Sequence, residues 1–242
     1  MNEANAGSFI EQRIASSDWQ RIEDALAQRG YATTGPILTP AECSALAASY
    51  GEESPFRSRV VMARHGFGRG EYKYFAYPLP SVVASLRTAL YPRLAPIANR
   101  WVHAMRREDS YPLEHTHYLE YCHKAGQVRP TPLLLRYEEG DYNCLHQDLY
   151  GAAFFPLQAT ILLSAPGVDF NGGEFILTEQ RPRMQSRAEV VPLAQGEAVL
   201  FAVNQRPVHG TRGTYRVTMR HGVSRLRTGM RYSLGVIFHD AS

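Results

Sequence analysis

The sequence predicts an α+β protein, because apolar residues follow different patterns in its two parts. Before residue 130, most apolar side chains recur every three or four positions, as on the buried face of a helix. After Pro130 the chain consists of eight short runs rich in β-branched and aromatic residues, separated by glycine, proline and asparagine. Eight such runs favour a closed or sandwich-like β architecture. We therefore expect an N-terminal helical region packed on a C-terminal β core.

The composition indicates one folded unit. With 242 residues, of which 44% are hydrophobic, the chain can bury a sizeable core. We expect residues 1–130, with helices and a β-hairpin, and residues 131–242, with the β core, to be parts of the same unit. The net charge of +3 does not require a polyanionic partner. No apolar run approaches the ~18 residues of a membrane span, and the three cysteines lack metal-like spacing, so we expect a soluble, cytoplasmic protein with no membrane partner.

Two helices are expected near the N-terminus. A capping-box pattern at 17–20, followed by apolar residues at helical spacing, predicts a helix over residues 18–29 that Gly30 ends. A Thr-Pro-Ala-Glu start at 39–42 places proline at the first helical position and predicts a second helix that runs to about Tyr50.

The stretch up to residue 130 also contains a hairpin and two later helices. Residues 59–77 alternate in the manner of a β-hairpin with a glycine-rich tip. A helix begins near Ser81 and is expected to break or kink near Pro92 and Pro96. Another helix is expected at 113–124. Its three histidines are expected to pack in the core or lie on the surface, because no carboxylate completes a metal-binding set.

His146 and Asp148 are the strongest candidates for chemistry. Residues two apart in an extended segment point to the same side, so both side chains could bind one metal ion. Such a pair, joined by one histidine from a distant strand, forms the facial triad of non-haem Fe(II) oxygenases. The alternative is a hydrogen-bonded pair at the end of a strand.

The third ligand is expected from a late strand, and two histidines compete for the role. Arg231 lies ten residues after His221, across a turn at Gly229, and could hold a carboxylate beside the metal on the adjacent strand. The residue ten after His209 is Met219, which cannot bind a carboxylate. We therefore favour His221 and keep His209 as the alternative.

The region 130–240 resembles the Fe(II)- and 2-oxoglutarate-dependent oxygenases of the prolyl 4-hydroxylase-like branch. The resemblance rests on the order and spacing of Tyr137, His146, Asp148, Gly172, Gly173, Glu174, the segment 196–201, His221, Gly229 and Arg231. It implies a double-stranded β-helix core, which is jelly-roll or cupin-like. The wider run resembles a small bacterial group described by analogy as AlkB-like oxygenases acting on alkylation-damaged DNA. The segment between Phe201 and His221 is longer than usual, and an extra hairpin around 206–215 would account for its length.

The resemblance also implies a metal site, a cosubstrate site and a reaction. The implied residues are His146, Asp148 and His221 for Fe(II), and Arg231, Tyr137 and Ser233 for 2-oxoglutarate. O2 would take the remaining position on the metal. The reaction would hydroxylate a substrate C–H bond and release succinate and CO2. Because Asp148 is present where alanine or glycine would leave room for a halide, hydroxylation is expected and halogenation is not.

The residues leave the substrate and the oligomeric state open. A nucleobase dealkylase needs aromatic surfaces for stacking and a basic rim. Residues of these types are Tyr72, Lys73, Tyr74, Phe75 and Tyr77 with Arg64 and Arg69, or the set Arg181, Arg183 and Arg187. The alternatives are sheet packing for these aromatics, and a protein, peptide or small-molecule hydroxylase as the function. A non-catalytic β-barrel binding module is the competing class outside enzymes.

Overall fold

The computed structural model describes residues 3–211 and 213–242, with side chains from Gly7 onward. The helices of this part are α1 (Glu3–Ala15), α2 (Trp19–Arg29), α3 (Pro40–Ala48), α4 (Ser81–Ala104) and α5 (His115–Lys124). None of these helices is long and apolar enough to cross a lipid bilayer.

The helix ends follow the capping chemistry of the sequence. The side chain of Asp18 accepts a hydrogen bond from the backbone N–H of Arg21, so Asp18 and not Ser17 caps α2. Gly30 ends this helix in the left-handed region, with φ of 78°. Thr39 caps α3 in the predicted reciprocal box. Both helices are confirmed, whereas α1 was not predicted.

Helix α4 runs unbroken through Pro92 and Pro96, so a break there is wrong, and the alternative of a kink stays a prediction. Each proline removes one backbone donor and leaves one carbonyl without its helical partner. The buried face of this helix, which includes Leu90, Leu94 and Trp101, lies in the main core. Burial of these side chains outweighs the two lost hydrogen bonds.

The histidines of α5 make structural contacts, and none belongs to a cluster of possible metal ligands among the described residues. His115 is buried and donates its Nε2–H to the carbonyl of Phe238, at 2.8 Å. His123 contacts the Asp240 carboxylate at 2.8 Å.

The strands form two antiparallel sheets. They are β1 (Tyr31–Pro36), β2 (Phe56–Val61), β3 (Gly68–Arg69), β4 (Glu71–Phe75), β5 (Leu133–Glu138), β6 (Tyr142–His146), β7 (Leu157–Leu162), β8 (Phe170–Gly172), β9 (Phe175–Gln180), β10 (Ser186–Val191), β11 (Glu197–Ala202), β12 (Gln205–Gly210), β13 (Gly213–Val223) and β14 (Leu226–Val236). The major sheet has the order β1-β11-β7-β14-β5-β4-β2, with β8 beside β14. The minor sheet has the order β10-β9-β13-β6-β3, with β12 beside β13.

The eight predicted runs are β5, β6, β7, β9, β10, β11, β13 and β14, and they build the double-stranded β-helix. The predicted hairpin at 59–77 is present as β2 and β4, with the short β3 at its tip. The extra hairpin is present as β12 and the first part of β13, where Gly210 pairs with Gly213. Strand β1 was not predicted.

The last two strands lie in different sheets. β13 pairs with β6 and β9, whereas β14 pairs with β5, β7 and β8. The prediction that the final strand runs beside the strand carrying His221 is therefore wrong. The chain crosses from the minor to the major sheet after Val223, so His221 and Arg231 belong to opposite walls of the barrel.

Alternate residues of the major sheet face the helices. Ala159 and Ile161 of β7 join the core formed with the helices, whereas Gln158 and Thr160 line the barrel interior. Strands from the first 130 residues extend this sheet, since β4 pairs with β5 and β1 with β11. We propose on this basis that residues 1–130 and 131–242 form one unit.

Candidate active site

His146, Asp148 and His221 form one cluster at the inner face of the minor sheet. His146 ends β6 and lies directly opposite His221 in the ladder with β13. The Asp148 oxygens lie 3.5 Å from His146 Nε2 and 3.3 Å from His221 Nε2. One potential ligand atom from each residue lies within 4.8 Å of the others. Two imidazoles and one carboxylate at this separation match the donor set of a facial triad.

The charges in this cluster favour an ionised carboxylate. Burial would raise the pKa of Asp148, but hydrogen bonds and charge from His146 and His221 hold it well below its usual value. Burial, assisted by the charge of His146, lowers the pKa of His221. For His146, burial opposes protonation, but the contact with Asp148 raises its pKa. The carboxylate is therefore ready to bind a cation.

The two imidazoles are oriented in different ways. His146 donates its Nδ1–H to the backbone carbonyl of Cys144, at 2.7 Å, which leaves Nε2, 3.5 Å from Asp148, as the nitrogen that a metal ion could take. The Nδ1 of His221 is buried without a hydrogen-bond partner. The ring of His221 is instead packed against Phe201 and Phe175, with centroids 4.7 and 6.0 Å away.

His209, the rival third ligand, lies outside the cluster. Its ring is exposed on β12, and its Nδ1 contacts the hydroxyl of Thr214 at 3.1 Å. The structure therefore brings His221, and not His209, to His146 and Asp148.

A cavity of about 320 Å³ opens beside the triad. Its polar lining includes residues that the sequence reasoning missed: Asn143, Gln147, Tyr150, Gln158 and Thr160. Gln158 and Thr160 alternate with apolar residues in β7, a pattern that could have revealed a polar inner face. In the described part of the chain, no Lys or Arg lines this cavity.

Arg231 is a buried cation without a carboxylate partner. It is 1% exposed, its Nη1 donates to the hydroxyl of Ser233 at 3.1 Å, and its Nε has no partner. No carboxylate oxygen of the described residues lies within 4.0 Å of its nitrogens. Its guanidinium lies 5.5 Å from the ring centroid of Tyr137, its neighbour across the ladder between β14 and β5. The hydroxyl of Tyr137 is also buried without a partner.

These unpaired groups fit a bound carboxylate, because a buried charge without a counter-ion is costly. Tyr137 and Ser233 line the triad cavity. Arg231 lines instead a second cavity of about 330 Å³. Arg231 is therefore not in the lining that the His-Asp-His cluster shares with Tyr137 and Ser233.

The predicted substrate surface is mostly structural. Tyr72 lines the cavity, but Lys73 donates to the carbonyls of Tyr50 and Glu52 at 2.9 Å, and Phe75 is in the core. Tyr77 bonds to the Asp240 carboxylate. For Lys73 and Phe75 packing within the protein is the better interpretation, whereas Tyr72 lines the cavity and Tyr77, 45% exposed, lies beyond the end of β4.

The exposed part of this surface is at the tip of the hairpin. Arg64 and Arg69 are exposed, and Arg69 lies 3.6 Å from Asp141. Phe67, which was not predicted, is 47% exposed and lines the cavity mouth. The other basic set lies away from the cavity, on the hairpin of β9 and β10; it comprises Arg181, Arg183 and Arg187.

Most of the chain matches a known protein family. Residues 70–241 match the Oxygenase-NA family, described as an oxygenase catalysing oxidative methylation of damaged DNA. The chain belongs to this family. An uncharacterized protein of Mycobacterium tuberculosis strain H37Rv is 49% identical over 168 residues, which cover 69% of this chain and 72% of that protein.

Two solved structures have the same fold. A prolyl-4-hydroxylase from Pseudomonas putida gives a TM-score of 0.54 at 16% identity, covering 93% of this chain and 99% of that one. An oxidoreductase of the 2OG-Fe(II) oxygenase family from Burkholderia pseudomallei gives 0.54 at 14% identity, covering 94% and 93%. Membership of this family identifies the chain as an oxygenase, which is an oxidoreductase. The two solved structures share its fold, and the His-Asp-His cluster offers the donor set of a non-haem Fe(II) site.

Proposed function

We propose that this oxygenase hydroxylates alkyl groups on damaged nucleobases in DNA, and thereby removes them. The observation that carries the proposal is the His146, Asp148 and His221 cluster, which borders a cavity with aromatic walls in a chain of the Oxygenase-NA family. Hydroxylation of an N-methyl group gives an N-hydroxymethyl group, which loses formaldehyde and restores the base. The oxidation converts 2-oxoglutarate to succinate and CO2.

The three cluster residues are the proposed Fe(II) ligands, with one atom from each. The bound metal and 2-oxoglutarate together supply the activation of O2 that C–H oxidation requires. The protein contributes the geometry: the contact to Cys144 orients His146, and the packing of Phe201 orients His221. Apolar walls that include Leu133, Phe175 and Val223 exclude water from the cavity.

Arg231 is the proposed partner of the far carboxylate of 2-oxoglutarate. A guanidinium matches a carboxylate with paired donors, and burial strengthens the interaction. Ser233 holds Nη1 of Arg231 and so orients the guanidinium, and the unpartnered hydroxyl of Tyr137 is a further donor.

The described lining of the cavity fits a nucleobase but offers no cationic partner for the phosphates of its nucleotide. No cationic side chain of the described residues faces the cavity, so phosphates would stay outside, near Arg64 and Arg69. Tyr72, Tyr150 and Phe67 offer ring faces for stacking. A base inside this cavity must leave its stack, so single-stranded DNA should be the better substrate.

A peptide hydroxylase is the second candidate, because the rim of the cavity is apolar. Phe67, Leu145 and Leu149 are 44 to 48% exposed and line the cavity. Such a rim would also accept an apolar peptide. Small-molecule hydroxylation needs only the cavity itself.

The test offers the purified protein, with Fe(II), 2-oxoglutarate and O2, alkylated single-stranded oligonucleotides, peptides and a metabolite pool in parallel. Succinate is measured against the rate without substrate, and formaldehyde is measured for the oligonucleotides. We expect alkylated DNA to raise both products, and unmodified DNA of the same sequence to raise neither. Stimulation by peptides alone would refute the DNA proposal. Absence of succinate from metal-loaded protein, with no visible charge-transfer band under anaerobic Fe(II) and 2-oxoglutarate, would refute the assigned site.

A further inference from the structure

Tyr150 makes a direct hydrogen bond to the central carboxylate of the triad. Its hydroxyl oxygen lies 2.8 Å from Oδ1 of Asp148. An ionised carboxylate only accepts hydrogen bonds, so the proton belongs to Tyr150. A bond of this kind, to a charged acceptor, is stronger than one between neutral groups. It fixes the plane of a side chain that could otherwise rotate.

A second tyrosine supports the first. The hydroxyl of Tyr74 lies 3.2 Å from that of Tyr150. Because the proton of Tyr150 is directed to Asp148, its oxygen must accept the proton of Tyr74. The guanidinium of Arg57 lies 4.5 Å from the ring centroid of Tyr74, and Arg57 Nε donates to the carbonyl of Pro130 at 3.0 Å. The chain of hydroxyls therefore has one direction, from Tyr74 through Tyr150 to Asp148.

The backbone that carries Tyr150 is held in place from behind. Gln127, 2% exposed, places its Nε2 within hydrogen-bond distance of the carbonyls of Tyr150, Ala153 and Asp240, at 3.0, 2.8 and 2.5 Å. Its Oε1 accepts the N–H of Ala153 at 2.8 Å. Gly151 has φ of 96°, and a Cβ there would lie 2.6 Å from Oε1 of Gln127. The loop after Asp148 is therefore a fixed support, although it lacks regular secondary structure.

Each member of the triad thus has its own means of orientation. His146 uses the carbonyl of Cys144, and His221 uses the packing of aromatic rings. For Asp148, Oδ1 accepts the hydroxyl of Tyr150 and also lies 3.5 Å from Nε2 of His146, whereas Oδ2 lies 3.3 Å from Nε2 of His221.

We propose that Tyr150 is a positioning residue for the metal site, with Tyr74 as its support. Tyr150 holds Oδ1 of Asp148 and so fixes the orientation of the carboxylate that would bind the metal. Without this hydroxyl the carboxylate could rotate out of that orientation, and the metal would be bound more weakly. The inference rests on the proposed function, in which the three cluster residues hold the metal.

The experiment measures Co(II) binding to metal-free protein by titration and visible absorption, without turnover. For Tyr150→Phe we expect affinity about 10 to 100 times weaker, the usual effect of losing a hydrogen-bonding partner of a metal ligand, and a changed absorption spectrum. Tyr74→Phe should weaken binding less. In the Tyr150→Phe background it should have no further effect, because Tyr74 acts only through Tyr150. Tyr91→Phe is the matched control: it loses a buried hydroxyl bond of 2.8 Å, to Pro112, and should bind Co(II) like the unchanged protein.

Failure of the proposed metal site and failure of the proposed role of Tyr150 would give different results. If the unchanged protein binds no Co(II), the proposed metal site fails. If it binds Co(II) and Tyr150→Phe has the same affinity and spectrum, the role of Tyr150 is refuted. A merely structural role predicts equal losses in the melting temperature of metal-free Tyr150→Phe and Tyr91→Phe, with unchanged Co(II) spectra in both. Additive effects of Tyr74→Phe and Tyr150→Phe would refute the chain of hydroxyls.

Discussion

His146 and His221 are direct partners in an antiparallel ladder, although each lies on a strand from a different part of the sequence. His146 is the last residue of β6, and His221 lies near the end of β13. Their ring centroids are 4.2 Å apart. The ladder therefore sets the separation of the two imidazoles before any metal binds, and Asp148 adds a carboxylate between them.

His221→Ala is expected to abolish Fe(II) binding, because only one imidazole and one carboxylate remain. His209→Ala removes an exposed histidine outside the cluster, so it should bind Fe(II) like the unchanged protein. Metal titration of both variants, with circular dichroism to establish folding, is the measurement. Retained binding in His221→Ala together with loss in His209→Ala would reverse the assignment.

Arg231→Ala should weaken 2-oxoglutarate binding without affecting the metal. Loss of hydrogen bonds to a charged group costs about 1.5 to 3 kcal/mol, or about 10- to 150-fold in affinity. Calorimetric titration of 2-oxoglutarate into Fe(II)-loaded protein under anaerobic conditions measures this change. Arg227→Ala, at a 72% exposed guanidinium 3.4 Å from Glu174, is the control and should change little. Equal losses in the two variants would place the carboxylate elsewhere.

Gly229→Ala should destabilise the protein more than another glycine replacement at a similar φ. Gly229 has φ of 83°, and a Cβ would lie 2.0 Å from the carbonyl oxygen of Asp169. Gly35 has φ of 80° with nothing within 4 Å. We expect a loss of about 1 to 2 kcal/mol in the free energy of unfolding for Gly35→Ala, from backbone strain alone, and at least about 3 kcal/mol for Gly229→Ala. Urea unfolding measures both, and equal losses would contradict the clash.

Burial of His115 is expected to lower the free energy of unfolding of the metal-free protein in mild acid. Burial, followed by the charge of Arg87, lowers the pKa of His115 from 6.5 to about 3. In the unfolded chain His115 therefore gains a proton below pH 6.5, whereas in the folded chain it stays neutral down to about pH 3. The free energy of unfolding therefore falls as the pH falls. This residue should account for a loss of about 2 kcal/mol between pH 7 and pH 5. His115→Gln keeps a donor for Phe238 but does not titrate, and urea unfolding should show a loss smaller by that amount. An unchanged pH dependence would contradict the assignment.

Most of the fold could be predicted because the eight core strands are short runs rich in β-branched and aromatic residues, separated by glycine, proline and asparagine. The clustering of His146 and Asp148 could be predicted because residues two apart in an extended segment point to the same side. Strand β1 has no such run, and its Thr-Thr-Gly-Pro segment becomes a strand by pairing with β11. The break at the prolines of α4 was predicted from a local rule, which does not measure burial. The burial of this helix in the core outweighs the local cost of the two prolines.

The prediction of Arg231 as the cosubstrate partner was based on an incorrect arrangement of the last two strands, and its role stays a proposal. Arg231 was chosen because it follows His221 at a fixed offset, as if the two strands were neighbours. The strands lie in opposite sheets, and the offset carries information only because the crossing after Val223 is short. Tyr150 was not predicted, although it lies two residues after Asp148 as Asp148 lies two after His146. Residues 147–150 form a loop, in which side chains two apart need not point to the same side.

The division of the site between the two sheets has a mechanical consequence. The cluster residues come from the minor sheet and the loop after it, whereas Arg231, Tyr137 and Ser233 come from the major sheet. Among the residues that the structure describes, the two sheets are not joined by backbone hydrogen bonds between β13 and β14. A ligand bound to both sets of residues would therefore link the two sheets mechanically. If the proposed roles hold, substitutions in β5 and β14 can alter which carboxylate Arg231 accepts while His146, Asp148 and His221 keep their geometry.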